Sequence, residues 1–181
     1  MADTHPMHPS VHLCLGALVL VAAALGCSGS GEIKKSQHAT LSQTVGRTEI
    51  EIEYNRPVAR GRTLFGAIVP YGAPWNPGAD RATAITFSKA VRVEGQPVDA
   101  GTYSIWIVPD TAQWTFILSR AGDVFHTPYP EGKDALRLRI APQPGAHMET
   151  LAFYFPVVDS TRAELVMHWG DRVLPIRIEA P

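Results

Sequence analysis

An antiparallel β-sandwich of about nine or ten short strands is the fold this sequence predicts. Three observations predict it. Apolar and polar residues alternate with period two along most of the chain after residue 35. Gly, Pro, Asn and Asp cut that alternation into short runs, as turn residues do. No segment sustains the period of about 3.6 residues that marks an amphipathic helix. A barrel would share these signals. The sandwich, of jelly-roll or immunoglobulin-like type, is the expectation.

The elements follow in chain order. Ile50, Ile52 and Tyr54 share one face of a strand, with Glu49, Glu51 and Glu53 on the other. That pattern is a half-buried strand with a solvated acidic face. Ile85 and Phe87 repeat it, as do Val91 and Val93. Tyr103, Ile105 and Ile107 alternate with Ser104 and Trp106. Pro109-Asp110-Thr111-Ala112 then reads as a hairpin loop before Trp114, Phe116 and Leu118. Leu136, Leu138 and Ile140 come next, then Leu151, Phe153 and Phe155. Ala163, Leu165, Met167 and Trp169 form a further strand. Gly170-Asp171 is expected to turn it back into Ile176 and Ile178, since a Gly-first pair suits a tight hairpin. The expected core is Ile50, Ile52, Phe87, Tyr103, Ile105, Phe116, Leu138, Phe153 and Leu165. The one helical candidate is Thr63 to Val69, a turn or two inside a long loop.

The N-terminus bears on the compartment. Leu13 to Leu25 is an almost unbroken apolar run. It is short for a membrane span and suits the apolar core of a signal peptide. It ends at Ala24-Leu25-Gly26-Cys27, and a small residue before Cys suggests a bacterial lipoprotein signal. Residues 1–27 are therefore expected to be a signal segment, with Cys27 acylated. Two features depart from that pattern. No Lys or Arg precedes the run, and Ala24 stands where Leu is more usual. An uncleaved anchor or a plain secretory signal are the alternatives, and translation from Met1 or Met7 gives the same run. Ser28-Gly29-Ser30-Gly31 fits a flexible tether over residues 28–35. Residues 36–181 form the single domain, expected at the bacterial cell envelope on its lipid anchor.

Composition narrows the function. The net charge is −1 and the isoelectric point about 6.6. A general nucleic-acid binder would need a basic stripe to displace counterions, so no nucleic-acid partner is expected. The two cysteines, Cys14 and Cys27, both precede the domain. The domain thus has no disulfide, no thiolate ligand and no thiol nucleophile. His38, His126, His147 and His168 are scattered without ligand spacing, so no metal and no cofactor are expected. There is no Gly-x-Ser-x-Gly elbow. Asp80, Asp123, Glu131 and Asp134 offer carboxylates, but only their spatial separation would make a glycosidase pair.

The connection from Arg56 to Arg81 stands out. It is longer than a sandwich requires, and loops of that length in compact domains are usually functional or disordered. Its Leu64, Phe65, Ile68, Val69, Tyr71 and Trp75 argue for order. Arg56, Arg62 and Arg81 offer guanidinium forks for a carboxylate or phosphate. Tyr71 and Trp75 offer planes for a sugar or aromatic ligand. Asp80 offers an acceptor for hydroxyls. These six are the candidate ligand-binding residues. The structural alternative is a lid in which Arg56 or Arg62 pairs with Asp80 while Phe65, Ile68 and Trp75 plug the core. A second loop, Asp123 to Ala135, is stiffened by Pro128 and Pro130 and carries His126 and Tyr129. It is either plain surface or a second wall of the same site.

Several motifs together resemble a family. They are Thr48 through Pro57, Gly61-Arg62, Phe65-Gly66, Val69-Pro70-Tyr71-Gly72, Trp75, Gly78-Ala79-Asp80, Ala82-Thr83, Ala100 through Ser104 and Trp114. They resemble the bacterial envelope proteins known as domain of unknown function family 2911, over roughly residues 36–179. The resemblance implies the fold and the envelope location. It implies no established activity. Asn55, Asn76 and Asp80 stand where Ser, Arg and Asn are expected. If the family binds an anion there, the last two changes imply weaker binding here.

Two functions of different class remain. One is a non-catalytic, lipid-anchored module binding a glycan, a small ligand or another envelope protein. The other is an envelope hydrolase acting on a glycan or ester through Asp80 with Arg56 or His126. The first needs only the loop. The second needs a converged acid and base, and the reading leans away from an enzyme.

Overall fold

The structure is a computed structural model that describes Met1, Ala2 and residues 34–181. Cys27, the apolar run and most of the tether lie outside the described residues. The chain divides into two units, Met1–Ile33 and Lys34–Pro181, and the second carries the fold.

The second unit contains ten strands: β1 (Gln37–Val45), β2 (Thr48–Arg56), β3 (Ala84–Phe87), β4 (Val91–Val93), β5 (Gln96–Val98), β6 (Gly101–Val108), β7 (Trp114–Ser119), β8 (Asp134–Ile140), β9 (Gln143–Val158) and β10 (Arg162–Glu179). They form two antiparallel sheets. One is ordered β1-β2-β3-β6-β7-β8 and the other β5-β4-β10-β9. The sheets are open, so the architecture is the expected sandwich and not a closed barrel.

Alternation places the core between the sheets. Ile50, Ile52, Phe87, Tyr103, Ile105, Phe116, Phe153 and Leu165 are all buried. The Tyr54 ring meets Phe153 edge-on at 5.0 Å, and its hydroxyl accepts the Phe153 amide at 3.1 Å. The exception to the expected core is Leu138, which is only half-buried. It lies on β8, the edge strand of the larger sheet, where one flank has no neighbour to cover it. The hairpin after β6 forms as expected, with Val108 opposite Thr115.

Three features differ from the sequence reading. The first is β1, whose apolar positions Ala39 and Leu41 are only half-buried, so its alternation is faint. It is drawn into the sheet by β2, with Val45 opposite Thr48 across a two-residue turn. The second is Gly170-Asp171, which makes no hairpin. β10 runs straight through it as one long strand, with register shifts on either side of Gly170. Strand β9 is long enough to pair both halves, from Val158 opposite Ala163 to Gln143 opposite Val173. A glycine suits this bulge: φ is +59°, and a Cβ would meet Leu64 Cδ1 at 2.7 Å. The third is Thr63 to Val69, which is a closed turn; there is no helix among the described residues. The Val69 amide donates to the Leu64 carbonyl and the Gly66 amide to the Val69 carbonyl, each at 2.9 Å. Gly66 sits at φ +84°, which ends any helical run.

The outer face of the larger sheet holds a second, smaller core. Trp106 and Ile117 point away from the sandwich interior yet are buried, with Ala82. Val124 and Tyr129 of the second loop lie over them, the Tyr129 ring meeting Trp106 at 5.2 Å.

Candidate functional site

The first loop, residues 57–83, joins neighbouring strands β2 and β3 but binds the two sheets to each other. At its start the Ala59 amide donates to the Glu149 carbonyl at 2.8 Å, and the Leu151 amide to the Pro57 carbonyl at 3.0 Å. These bonds lay it along β9. Further on, Trp75 and Ile107 of β6 exchange two backbone bonds of 2.8 Å. Phe65 packs on Trp114 at 4.5 Å, and the Trp75 indole stacks on Trp169 at 5.7 Å with the planes 13° apart. Four aromatic rings from β7, β10 and the loop thus close the sandwich where β6 turns into β7.

The six candidate residues do not share one pocket. Arg56 donates from Nε to the Leu151 carbonyl at 2.9 Å. Arg62 donates from Nε to Ala59 and from Nη2 to Val58, at 2.8 and 2.7 Å. Neither pairs with Asp80, contrary to the lid reading; both guanidinium groups donate to main-chain carbonyls instead. Trp75 belongs to the aromatic closure. Tyr71 is half-exposed and lies over Gly66, where a Cβ would meet its Cε2 at 2.7 Å. Only Asp80 and Arg81, at the end of the loop, meet the second loop.

That meeting is well defined. The Ala82 amide donates to the Val124 carbonyl at 2.9 Å, and Arg81 forms a bridge with Phe125. His126 contacts Asp80 twice, through its amide at 2.9 Å and its Nδ1 at 2.8 Å. Both contacts reach the Asp80 carbonyl. The Asp80 carboxylate turns instead to Lys34 Nζ at 3.5 Å. Arg81 pairs with Asp123 through Nη2 and Oδ1.

Beside this junction lies an open groove of 440 Å³, lined by Lys34, His38, Glu53, Asn55, Arg81 and Gly122. Its cations are lightly held. The Lys34 side chain is 65% exposed and that of Arg81 73%. Exposed pairs of this kind are worth about 0–1 kcal/mol, so either cation can leave its carboxylate for a ligand at little cost. A larger groove of 510 Å³ lies beside Glu94, Asp159, Arg162 and Glu164. Of its two arginines, Arg162 lies 3.8 Å from Asp159 and Arg177 is held by Glu94. Glu94 accepts from the Arg177 amide, Nε and Nη2 at 2.7, 3.1 and 2.8 Å. The smaller groove differs in bringing two lightly held cations from separate segments, Lys34 and Arg81, onto one wall.

The second loop is anchored at its far end by Tyr129. Its hydroxyl donates to Asp134 Oδ1, while Arg137 holds Asp134 Oδ2 at 2.6 Å. Burial against Trp106, followed by the Asp134 carboxylate, pushes the phenol up to about 12. Among the described residues no group of three His, Cys, Asp or Glu side chains is placed to hold a metal ion.

With this geometry in place, comparison with known families is decisive over most of the chain. Residues 36–178 match the family described as Protein of unknown function (DUF2911). The chain belongs to this family. Comparisons with curated proteins and with solved structures give no match. Three positions where this DUF2911 member departs from the expected pattern now have structural roles. Asn76 is 1% exposed, donating to the Ile105 carbonyl at 2.7 Å and accepting from the Thr83 amide at 3.1 Å. It is an internal tie of the loop, so the charge change expected in a site falls outside the groove. Asn55 lines the groove and donates to the Ala79 carbonyl at 2.7 Å. Asp80 holds φ +62°, a conformation that Asp and Asn tolerate better than most residues.

Sequence reasoning did not single out Lys34, His38 or Gly122 for the groove. One signal was available for His38. Reading β1 as a strand across the Gly46-Arg47 turn places His38 directly opposite Asn55, as the register has it.

Proposed function

We propose that this DUF2911 protein is a lipid-anchored, non-catalytic binding module of the bacterial cell envelope. It captures a polar ligand, a glycan fragment, a small ligand or an exposed segment of another envelope protein, in the groove between Lys34 and Arg81. The observation that carries this reading is the pair of weakly held cations, Lys34 and Arg81, on the wall of one open groove. Glu53 adds an exposed carboxylate to the same wall, and Asn55, buried and tied to the Ala79 carbonyl, backs it. A surface mixing lightly engaged donors and acceptors suits a polyhydroxylated or zwitterionic ligand.

Support for the anchor comes from the sequence: the apolar run, Gly26-Cys27 and the Ser/Gly tether. Placement of the groups around Asp80 favours capture over hydrolysis. His126 touches the Asp80 main chain, the Asp80 carboxylate faces Lys34, and Arg56 is spent on Leu151.

The test has two arms. A panel of envelope glycans and peptides is screened against the parent, then against Lys34→Ala and Arg81→Ala. Capture should fall at least about tenfold in each variant with the melting temperature unchanged. Equal capture by parent and variants would move the site elsewhere, and turnover of any panel compound would favour the hydrolase. Separately, Cys27→Ser should abolish incorporation of a labelled fatty acid. Retained label and membrane association would refute the anchor.

A further inference from the structure

We propose that the face carrying Lys35, Arg60 and Arg62 docks on anionic lipid headgroups and sets the orientation of the domain on the membrane; this rests on the lipid-anchor reading above. The three cations are brought together by the fold. Arg60 Nη2 donates to the Lys35 carbonyl at 3.4 Å, which lays the start of the first loop against the start of the domain. Arg62 follows across Gly61, its guanidinium fixed on the carbonyls of Val58 and Ala59. All three residues are exposed. Among the described residues none of them has a carboxylate within salt-bridge distance, unlike Lys34, Arg81, Arg137 and Arg177. Glu149 is an acid that contacts this turn. Its two oxygens are taken by the Arg60 amide at 2.5 Å and His147 Nε2 at 2.9 Å, so it braces the turn, while the Arg60 guanidinium reaches the Lys35 carbonyl.

The position of this rim in the chain argues for a membrane partner. Residues 28–33 separate Cys27 from Lys34, and a fully extended chain of that length reaches about 25 Å at most. An acylated Cys27 therefore tethers Lys35 within about 30 Å of the headgroups, and a slack tether lets it touch them. Surface potentials fall off within a Debye length of about 10 Å, so the attraction acts once a slack tether has let the rim approach that closely. Three basic side chains at an anionic surface favour the docked over the undocked state by roughly a hundredfold. The two arginines are pre-ordered by main-chain contacts, which lowers the entropy lost on docking.

The experiment uses the acylated protein purified from a bacterial host and reconstituted into vesicles bearing a dansyl lipid. Energy transfer from the native tryptophans reports how closely the domain lies on the surface. Transfer should be higher on vesicles containing phosphatidylglycerol than on phosphatidylcholine alone, and high salt should remove the difference. The variant Lys35→Ser, Arg60→Ser, Arg62→Ser should lose the difference at low salt. A charge-matched control, Arg92→Ser, Arg139→Ser, Arg162→Ser, should keep it. Equal transfer on both vesicle types for the parent overturns the proposal. So does equal loss in the control, which would reduce the effect to net charge. Flotation of the same vesicles with Cys27→Ser protein reads the anchor separately. If that variant stays bound, the anchor reading fails irrespective of the rim result.

Discussion

The two long loops make an instructive contrast. The first, residues 57–83, holds most of the residues associated with recognition: arginines, a tyrosine, a tryptophan and an aspartate. The second, residues 120–133, is plainer. Yet most of the first loop's polar valences are consumed internally, by Leu151, Val58, Ala59, Ile105 and Thr83. The second loop contributes one exposed, exchangeable partner, Asp123, to Arg81 at the end of the first, where Asp80 likewise faces the exposed Lys34. A guanidinium in a loop is thus not evidence of a site until its nearest carbonyls are known. A fork bonded to main-chain carbonyls is tied to the fold, whereas an exposed one facing a lone carboxylate can be recruited.

The sharpest way to break this contrast is to cut the aromatic closure. Trp75→Ala removes the ring stacked on Trp169 and meeting Phe65 edge-on at 5.9 Å. Urea unfolding should show a loss of about 3 kcal/mol. Stability equal to the parent would mean that the first loop merely rests on a finished core, and its residues would return as site candidates.

Much of this architecture was legible from local pattern. Ile50, Ile52, Ile105 and Phe116 point inward because period two leaves a strand only two faces, and one must be wet or covered. What the pattern cannot supply is the covering. Trp106 and Ile117 lie on the outward face and are buried only because Tyr129 and Val124 come back over them from later in the chain. The same limit hid the groove. Lys34 and His38 reach it through the pairing of β1 with β2, a partnership set by a faint strand and a two-residue turn. Gly170-Asp171 failed differently. A Gly-first pair serves a hairpin or a bulge equally well, and the length of β9, which sequence did not reveal, decides between them.

The next largest effect is expected at Asn76, which fixes the end of the first loop from inside. Asn76→Ala leaves the Ile105 carbonyl and the Thr83 amide without their partner in a buried site. An unsatisfied buried group costs about 1–3 kcal/mol, so a loss of about 2 kcal/mol should appear in the same unfolding assay. A loss below about 0.5 kcal/mol would show that water enters the tie and that this end of the loop is looser than its partner contacts indicate.

A smaller effect separates the loops by pH. The Tyr129 phenol is raised to about 12, while an unfolded tyrosine titrates near 10. The folded state therefore holds this proton more tightly. The resulting stability is fully present below the unfolded value and is lost as pH rises through the folded one. Unfolding measured from neutral pH into that alkaline window should decline more steeply for the parent than for Tyr129→Phe. Parallel curves would mean that Tyr129 does not clamp the second loop through Asp134.

The smallest effect is the most telling for function. Arg81→Ala and Asp123→Ala, alone and combined, should each change stability by less than about 0.5 kcal/mol, with a coupling energy below about 1 kcal/mol. The reason is exposure. The side chains of Arg81 and Asp123 are 73% and 82% accessible, so water screens their attraction and both lose rotamer freedom on pairing. A weak coupling leaves Arg81 available to a ligand that offers better geometry than one exposed carboxylate. Raised salt should weaken that coupling further, as expected for a pair in contact with solvent. A coupling of several kcal/mol, insensitive to salt, would place Arg81 with Arg56 and Arg62 as a structural fork. The groove would then lose its most mobile cation, and the case for ligand capture between the two loops would pass to Lys34 alone.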